Sequence, residues 1–341
     1  MKILRLEAIR GFLALFVFLA HFPAKGNFFG FNFIFLATQE AVMGFFLLSG
    51  FVIYFAAHKR LHEGFFSYLK KRFVRIYSVL IPLLLLVWLL DNHCKYQPGF
   101  TKELIGNLFM LQDFALEKPG VVVPTVFGIF PLWSLSYEWW FYMLFFPIAC
   151  YVAGERQKHV VGVAGVVAAL SYIVLPNIVN RVLLYLPLWW IGVEIARLYC
   201  AHPQSVTLKN LRWPMFYVIA AATPLAIRAV WFGTHGGHHS FGLHPWIEPR
   251  HLFAGIILLL LGFAWRRLNW FGFAWTVGPA ILASGISYAL YIAHWPLVVK
   301  ASYFSFIQNP VLEYVLYIAV LLTFCVFTER VIFKWLRKYA R

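Results

Sequence analysis

The sequence predicts an all-α integral membrane protein of about ten transmembrane helices with both termini cytoplasmic. Three observations carry that prediction. Hydrophobic residues make up 62% of the chain and charged residues 12%, against roughly 45–50% and 25% in soluble domains. Ten apolar runs approach or reach the ~17–25 residues that a helical bilayer crossing needs. The Lys and Arg residues outside those runs fall unevenly on the two sides.

In chain order the runs lie at 6–24, 40–57, 75–91, 131–152, 159–176, 182–199, 213–232, 251–266, 277–299 and 310–333. An even number returns the C-terminus to the side of the N-terminus. Of the 29 Lys and Arg residues, 21 lie on that side and eight on the other, which puts the termini in the cytoplasm. The net charge of +16 is accounted for by this asymmetry. No basic, aromatic-interleaved segment outside the runs suggests nucleic-acid binding.

The first run follows Lys2, Arg5 and Arg10 and resembles a secretory signal. It lacks an A-x-A site, and His21 stands where the apolar region should end, so it is read as a retained span. Without internal repeats or low-complexity tracts, residues 1–341 read as one membrane domain with no separate soluble domain. Cys94, Cys150, Cys200 and Cys325 form no CxxC pair, which gives neither a disulfide framework nor a thiolate metal site.

Polar residues within the runs carry the functional signal. In IRGFLALFVFLAH, Arg10 and His21 are eleven residues apart, which places them on one helical face ~16 Å apart. Glu7 precedes Arg10 by three residues, within ion-pair reach. In YLKKRFVRIY, Lys71 and Arg75 share a face and Arg72 adjoins them. Such a cluster suits phosphate, although any cytoplasmic loop would be basic.

The loop at 92–130 holds a helix-like stretch, ELIGNLFMLQDF. Glu138 is the sole charge in WSLSYEWWFYMLFFP, and His294 is the one residue in SYALYIAHWPL of a type expected to titrate near neutrality. The orientation puts His21, Glu138 and His294 in the outer half of the bilayer, which suggests a shared cavity. The plainer reading of each is a helix-packing hydrogen bond. Glu194 and Arg197 read as an interfacial i,i+3 pair. His235, His238, His239 and His244 invite a zinc reading, but their Gly-rich spacing supports it weakly, and no metal is expected.

Together these segments resemble the acyltransferase 3 family of membrane O-acyltransferases over about residues 4–329. Arg10–Gly11 with His21 fits the family's R-x10-H motif, and GFFLLSGFVI (Gly44–Ile53) fits a second. KRFVRIY, WSLSYEWWFY and YIAHWPL fit three more in the expected order. The chain departs at Glu7, where the family usually has Asp, and at Met43–Gly44, where it often has an acidic residue. Ser78 and Arg330–Val331 stand where the family usually carries prolines.

The resemblance implies transfer of an acyl group, usually acetyl from cytoplasmic acetyl-CoA, to a glycan or glycolipid of the cell envelope or to a secreted molecule. It implies a multi-pass protein of a bacterial inner membrane, O-acetylation as the chemistry, and membrane lipids as surroundings. Lys71, Arg72 and Arg75 would then hold the CoA phosphates, with Arg10 above them. His21 is expected as general base or as transient acyl carrier. Glu138 would orient or balance the site, and His294 would donate to the oxyanion or bind the acceptor. Trp133, Ser136, Tyr142 and Tyr291 are candidate acceptor-binding residues. A transporter or flippase would also explain ionisable groups in a ten-span layout, but it often shows repeat symmetry, which this sequence lacks. A cell-envelope scaffold would leave the three buried groups unexplained. The acceptor, the acyl group and the oligomeric state are not fixed by the sequence.

Overall fold

The computed structural model describes residues 3–21, 37–90, 97–237 and 240–339. The architecture is helical, with one isolated bridge, Gln112 to Val123, among the described residues. The helices are α1 (Leu4–His21), α2 (Thr38–Ala57), α3 (Phe65–Leu90), α4 (Phe100–Leu108), α5 (Leu132–Tyr151) and α6 (Gly154–Val174). They continue as α7 (Ile178–Ala201), α8 (Arg212–Thr234), α9 (Ile247–Arg267), α10 (Gly278–Ser284), α11 (Ser287–Val299) and α12 (Pro310–Tyr339).

Seven of these helices are long and apolar enough to cross a membrane, or eight if the bent pair α10–α11 is one span. Ten runs were expected. The first of the other two carries Arg5, Glu7 and Arg10 in 18 residues as α1. The second is α5, in which Trp, Tyr, Ser and Glu138 dilute the apolar character. Both segments are helical over their described residues, but their polar content sets them apart.

The run at 277–299 is not one straight span. Its two halves meet at 77° around Gly285 and Ile286. Pro296 then brings the chain into a π-helical turn, Trp295–Val299, directly after His294. Proline lacks the N–H that would continue the helical ladder, and π-turns recur where a side chain must be re-aimed. A second π-turn, Phe327–Ile332, interrupts α12 at Glu329. Helix α3 begins ten residues before the expected apolar run, so the basic cluster lies inside the helix. The stretch expected to be helical at Glu103–Phe114 is helical only as far as Leu108, in a helix that begins at Phe100.

Helix α7 is the axis of the fold. In its most apolar 18-residue stretch 78% of residues are buried, against 28% for α8, and a helix apolar all round belongs inside. Trp189, Trp190, Leu188 and Ile191 have almost no exposure. Helix α2 packs along α7, α6 packs on both α7 and α8, and α9 closes against α8 and α2. The α2–α7 crossing depends on Gly50 and Gly192. A Cβ on either would lie within about 2 Å of a carbonyl oxygen of the other helix, Trp189 or Leu47. Small residues at such crossings bring backbones close and gain packing energy where lipid offers no hydrophobic drive.

Helix α1 packs against α10, α11 and α2, and α3 packs against α12. Helix α5 contacts α2, α3 and α7. The cavity that holds Arg10 and Glu138 is enclosed by α1, α2, α3, α5 and α11.

Candidate active site

Three cavities follow one another between these helices. The largest, about 950 Å³, is lined by Arg60, Lys71, Arg72, Arg75 and Arg337 with a single acid, Glu63. Five cations against one carboxylate make it a basic mouth. A middle chamber of about 210 Å³ carries Arg10, Ser49, Arg72, Arg75, Ser134, Glu138, Tyr142 and Tyr291 on its walls. An outer chamber, also about 210 Å³, carries His21, Gln39, Val42, Trp133, Tyr291 and Trp295. Arg72 and Arg75 wall both the mouth and the middle chamber, and Val42 and Tyr291 wall both the middle and the outer one.

The mouth's cations differ in how committed they are. Lys71 Nζ lies 2.6 Å from Glu63 Oε2. Arg75 pairs with Glu329, whose carboxylate is buried at the π-turn of α12, and its guanidinium also lies 5.1 Å over the Tyr288 ring. Arg72 is different: it stacks over Tyr68 at 5.4 Å, and its buried Nε has no hydrogen-bond partner among the described residues.

Arg10 enters the middle chamber from α1. Its Nη2 donates to Glu7 Oε2 at 2.6 Å and to the Ser284 carbonyl at 3.0 Å. The Glu7–Arg10 pair is the one that the spacing implied. Gly11 makes the carbonyl contact feasible, since a Cβ there would lie 1.9 Å from the Ala280 oxygen. Glu138 accepts from Ser49 Oγ at 2.6 Å and from the Tyr142 hydroxyl. Tyr291 and Ser134 share a hydroxyl–hydroxyl bond of 2.8 Å on the same wall.

The two histidines meet in the outer part of the site. His294 Nε2 lies 3.2 Å from His21 Nδ1, and their rings stack with centroids 5.2 Å apart. Each Nδ1 faces a backbone carbonyl one turn earlier, Val17 at 2.9 Å and Leu290 at 3.1 Å. A carbonyl can only accept, so both rings carry their proton on Nδ1 when neutral. His294 Nε2 then accepts from His21 Nδ1–H. The lone pair on His21 Nε2 is left without a partner among the described residues, in a side chain that walls the outer chamber. Fixing Nδ1–H on a carbonyl is the usual way a protein selects Nε2 as the basic atom.

Against this geometry, a profile of the acyltransferase domain matches residues 3–330. The chain belongs to the acyltransferase 3 family. Two relatives agree over shorter stretches. Acyltransferase MdmB of Streptomyces mycarofaciens is 31% identical over 151 residues, 41% of this chain and 37% of that protein. Protein 2 in the picA locus of Rhizobium radiobacter is 32% identical over 156 residues, 40% of this chain and 77% of that protein. The chain thus spans just over a third of the first relative. No solved structure matches.

Within this acyltransferase 3 chain, the expectation of one cavity for His21, Glu138 and His294 is modified. His21 and His294 are in contact, whereas Glu138 lies in the middle chamber with Arg10, and Tyr291 connects the two spaces. Trp133 walls the outer chamber and Tyr142 the middle one. Ser136 is turned back to the Trp133 carbonyl at 2.9 Å and is buried away from all three cavities.

Sequence reasoning passed over Ser49, although it stands in a quoted motif, as well as Ser134 and Gln39. Serines in an apolar helix were a usable signal. Gln39 was not recognisable, because it precedes the apolar core of α2. Of the histidines considered for zinc, His235 stacks on Trp231 and His244 lies 3.1 Å from Glu248, while His238 and His239 fall outside the described residues. Among the described residues no three His, Cys, Asp or Glu side chains converge as a metal site would require. Glu194 and Arg197 pair at 2.6 Å, as expected. Cys150, Cys200 and Cys325 are free thiols, and Cys94 lies outside the described residues.

Proposed function

We propose that this protein transfers an acyl group, most simply acetyl, from acyl-CoA at the basic mouth to a hydroxyl of a cell-envelope glycan or glycolipid in the outer chamber. The observation that carries the reading is the series of three cavities with shared walls, from a cationic mouth to an imidazole with a free Nε2. A phosphate-rich donor has its counter-ions at one end, and a base for an alcohol stands at the other. CoA phosphates sit against Arg72 and Lys71, with Arg75 braced by Glu329, and the pantetheine arm passes Arg10 and Glu138 toward His21. In this topology the mouth is cytoplasmic and the outer chamber faces the far side of a bacterial inner membrane.

In the reaction, His21 Nε2 takes the proton of the acceptor hydroxyl as its oxygen attacks the thioester carbonyl carbon. The new C–O bond gives a tetrahedral oxyanion, which collapses with loss of the C–S bond. The CoA thiolate leaves and takes the proton back from the imidazolium. His294, accepting from His21 Nδ1–H, positions the ring and stabilises its charged form. His21 as a transient acyl carrier is the variant pathway. Tyr291 and Trp133 wall the chamber in which the acceptor sits.

The broken α10–α11 pair is a feature shared with transporters. Purified protein in proteoliposomes, supplied with radiolabelled acetyl-CoA and extracted envelope glycans, separates the readings. Acyl transfer predicts free CoA and a labelled glycan ester in equal amounts. Glycan movement without CoA release identifies a transporter.

A further inference from the structure

The outer chamber contains a second polar group whose orientation is fixed from behind. Gln39 stands in the first turn of α2 and shares the chamber wall with His21. Its Oε1 accepts from Arg250 Nη2 and lies 3.1 Å from His251 Nε2. Arg250 has no acceptor atom, so the carboxamide must present oxygen to it and not nitrogen.

The two partners are themselves held. Arg250 Nε lies 2.8 Å from Glu40 Oε1, and its Nη1 donates to the Phe241 carbonyl at 2.7 Å. His251 is fully buried, with Nδ1 2.9 Å from the Tyr185 hydroxyl and its ring stacked on Trp133. The Tyr185 hydroxyl donates to Nδ1, which leaves Nε2–H to donate to Gln39. Two donors on one amide oxygen polarise the carboxamide and make its N–H groups better donors. Among the described residues, nothing accepts from Gln39 Nε2.

We propose that the Gln39 carboxamide N–H donates to the acyl carbonyl oxygen as it becomes an oxyanion in the outer chamber, whose wall it shares with His21. The proposal rests on the acyl-transfer reading. A side-chain amide fixed before the reaction spends nothing on reorientation when charge develops, which is how such donors lower a barrier. His294 is then released from the donor role that its sequence position suggested, since its Nε2 is an acceptor and its Nδ1–H is held by Leu290.

The decisive variant is Gln39→Glu. It retains an oxygen for Arg250 and His251 and so preserves the network, but it replaces the donor by a carboxylate oxygen. Initial rates of label transfer from radiolabelled acetyl-CoA to extracted envelope glycans are measured in proteoliposomes with the full chain, alongside its unfolding temperature in detergent. Loss of one oxyanion donor lowers kcat by about 10²–10³-fold, with KM for acetyl-CoA unchanged and the unfolding temperature at or above that of the unsubstituted protein. Gln39→Ala is expected to lose a similar factor in kcat and also some thermal stability, because Arg250 and His251 lose their acceptor. Near-full kcat in Gln39→Glu assigns Gln39 to structure and overturns the proposal. A raised acceptor KM at unchanged kcat makes it a binding group and also overturns it. An unsubstituted protein that releases no CoA rejects the acyl-transfer reading itself, which separates that failure from the failure of Gln39.

Discussion

His294 Nε2 and His21 Nδ1 stand 3.2 Å apart across the α1–α11 contact. In the proposed reaction one histidine acts through the other. His21 presents the free Nε2, so His21→Ala should lower kcat by about 10²–10⁴-fold, the usual contribution of a general base. His294→Ala removes a single acceptor while Val17 still holds the His21 ring. The expected loss is about tenfold, equivalent to one hydrogen bond of roughly 1.4 kcal/mol. Steady-state label transfer with both variants checks the order.

The basic residues of the mouth should separate by function. Of the two arginines on α3, Arg72 has the less committed guanidinium, so Arg72→Ala should raise the apparent KM for acetyl-CoA by about tenfold, one lost charge-assisted bond. Lys71→Ala should do less, because Lys71 already faces Glu63. Arg75→Ala should lower stability as well as affinity. It strands the buried Glu329 carboxylate, a change that costs about 3 kcal/mol when a buried pair is broken. Arg75→Met with Glu329→Gln should recover stability but not affinity, as read by detergent unfolding and by KM.

Gly11 and Gly262 make a matched pair of helix glycines. A Cβ on Gly11 meets the Ala280 oxygen at 1.9 Å, whereas one on Gly262 has nothing within 4 Å. Gly11→Ala should push α1 off α10 and destabilise by about 2 kcal/mol, as overpacking does. It should also weaken the Arg10–Ser284 bond. Gly262→Ala should be neutral or slightly stabilising, through the better helix propensity of alanine. The unfolding temperature should fall for Gly11→Ala and should hold or rise for Gly262→Ala.

The segment between α4 and α5 is fixed by a buried charge cluster. Asp113 holds Lys118 Nζ at 3.3 Å and Arg181 Nε at 2.8 Å, and Tyr137 donates to it at 2.5 Å. Lys118 Nζ also lies 4.5 Å over Trp133, whose ring walls the outer chamber. Asp113→Ala leaves two buried cations without an acid and should cost at least about 3 kcal/mol. Lys118→Met leaves Asp113 paired with Arg181 and should be much milder. Chemical unfolding in detergent ranks the two.

What the sequence disclosed followed from spacing along a single helix. The Glu7–Arg10 pair, the Glu194–Arg197 pair and the common face of Lys71 and Arg75 are i,i+3 or i,i+4 relations, which helix geometry dictates. Motif order disclosed the family. The 77° bend at Gly285–Ile286 was hidden because both halves are apolar and nothing in their composition marks a break. Arg75–Glu329 joins residues 254 positions apart, and no local period encodes such a pair. Nothing in the sequence marks Asp113 and Lys118 as buried, since burial of a loop depends on what folds over it. Gln39 owes its orientation to Arg250 and His251, from a helix more than two hundred residues away.

The central claim is that an acyl group enters at the Arg72 mouth and is delivered at His21, on the opposite face. Sealed, inverted inner-membrane vesicles test it most directly, with radiolabelled acetyl-CoA confined to the outside and endogenous envelope glycans as acceptor. The account predicts label as a glycan ester inside the vesicle, protected from external esterase, and absent with His21→Ala. Label confined to external material, or interior label that persists in His21→Ala, would contradict it.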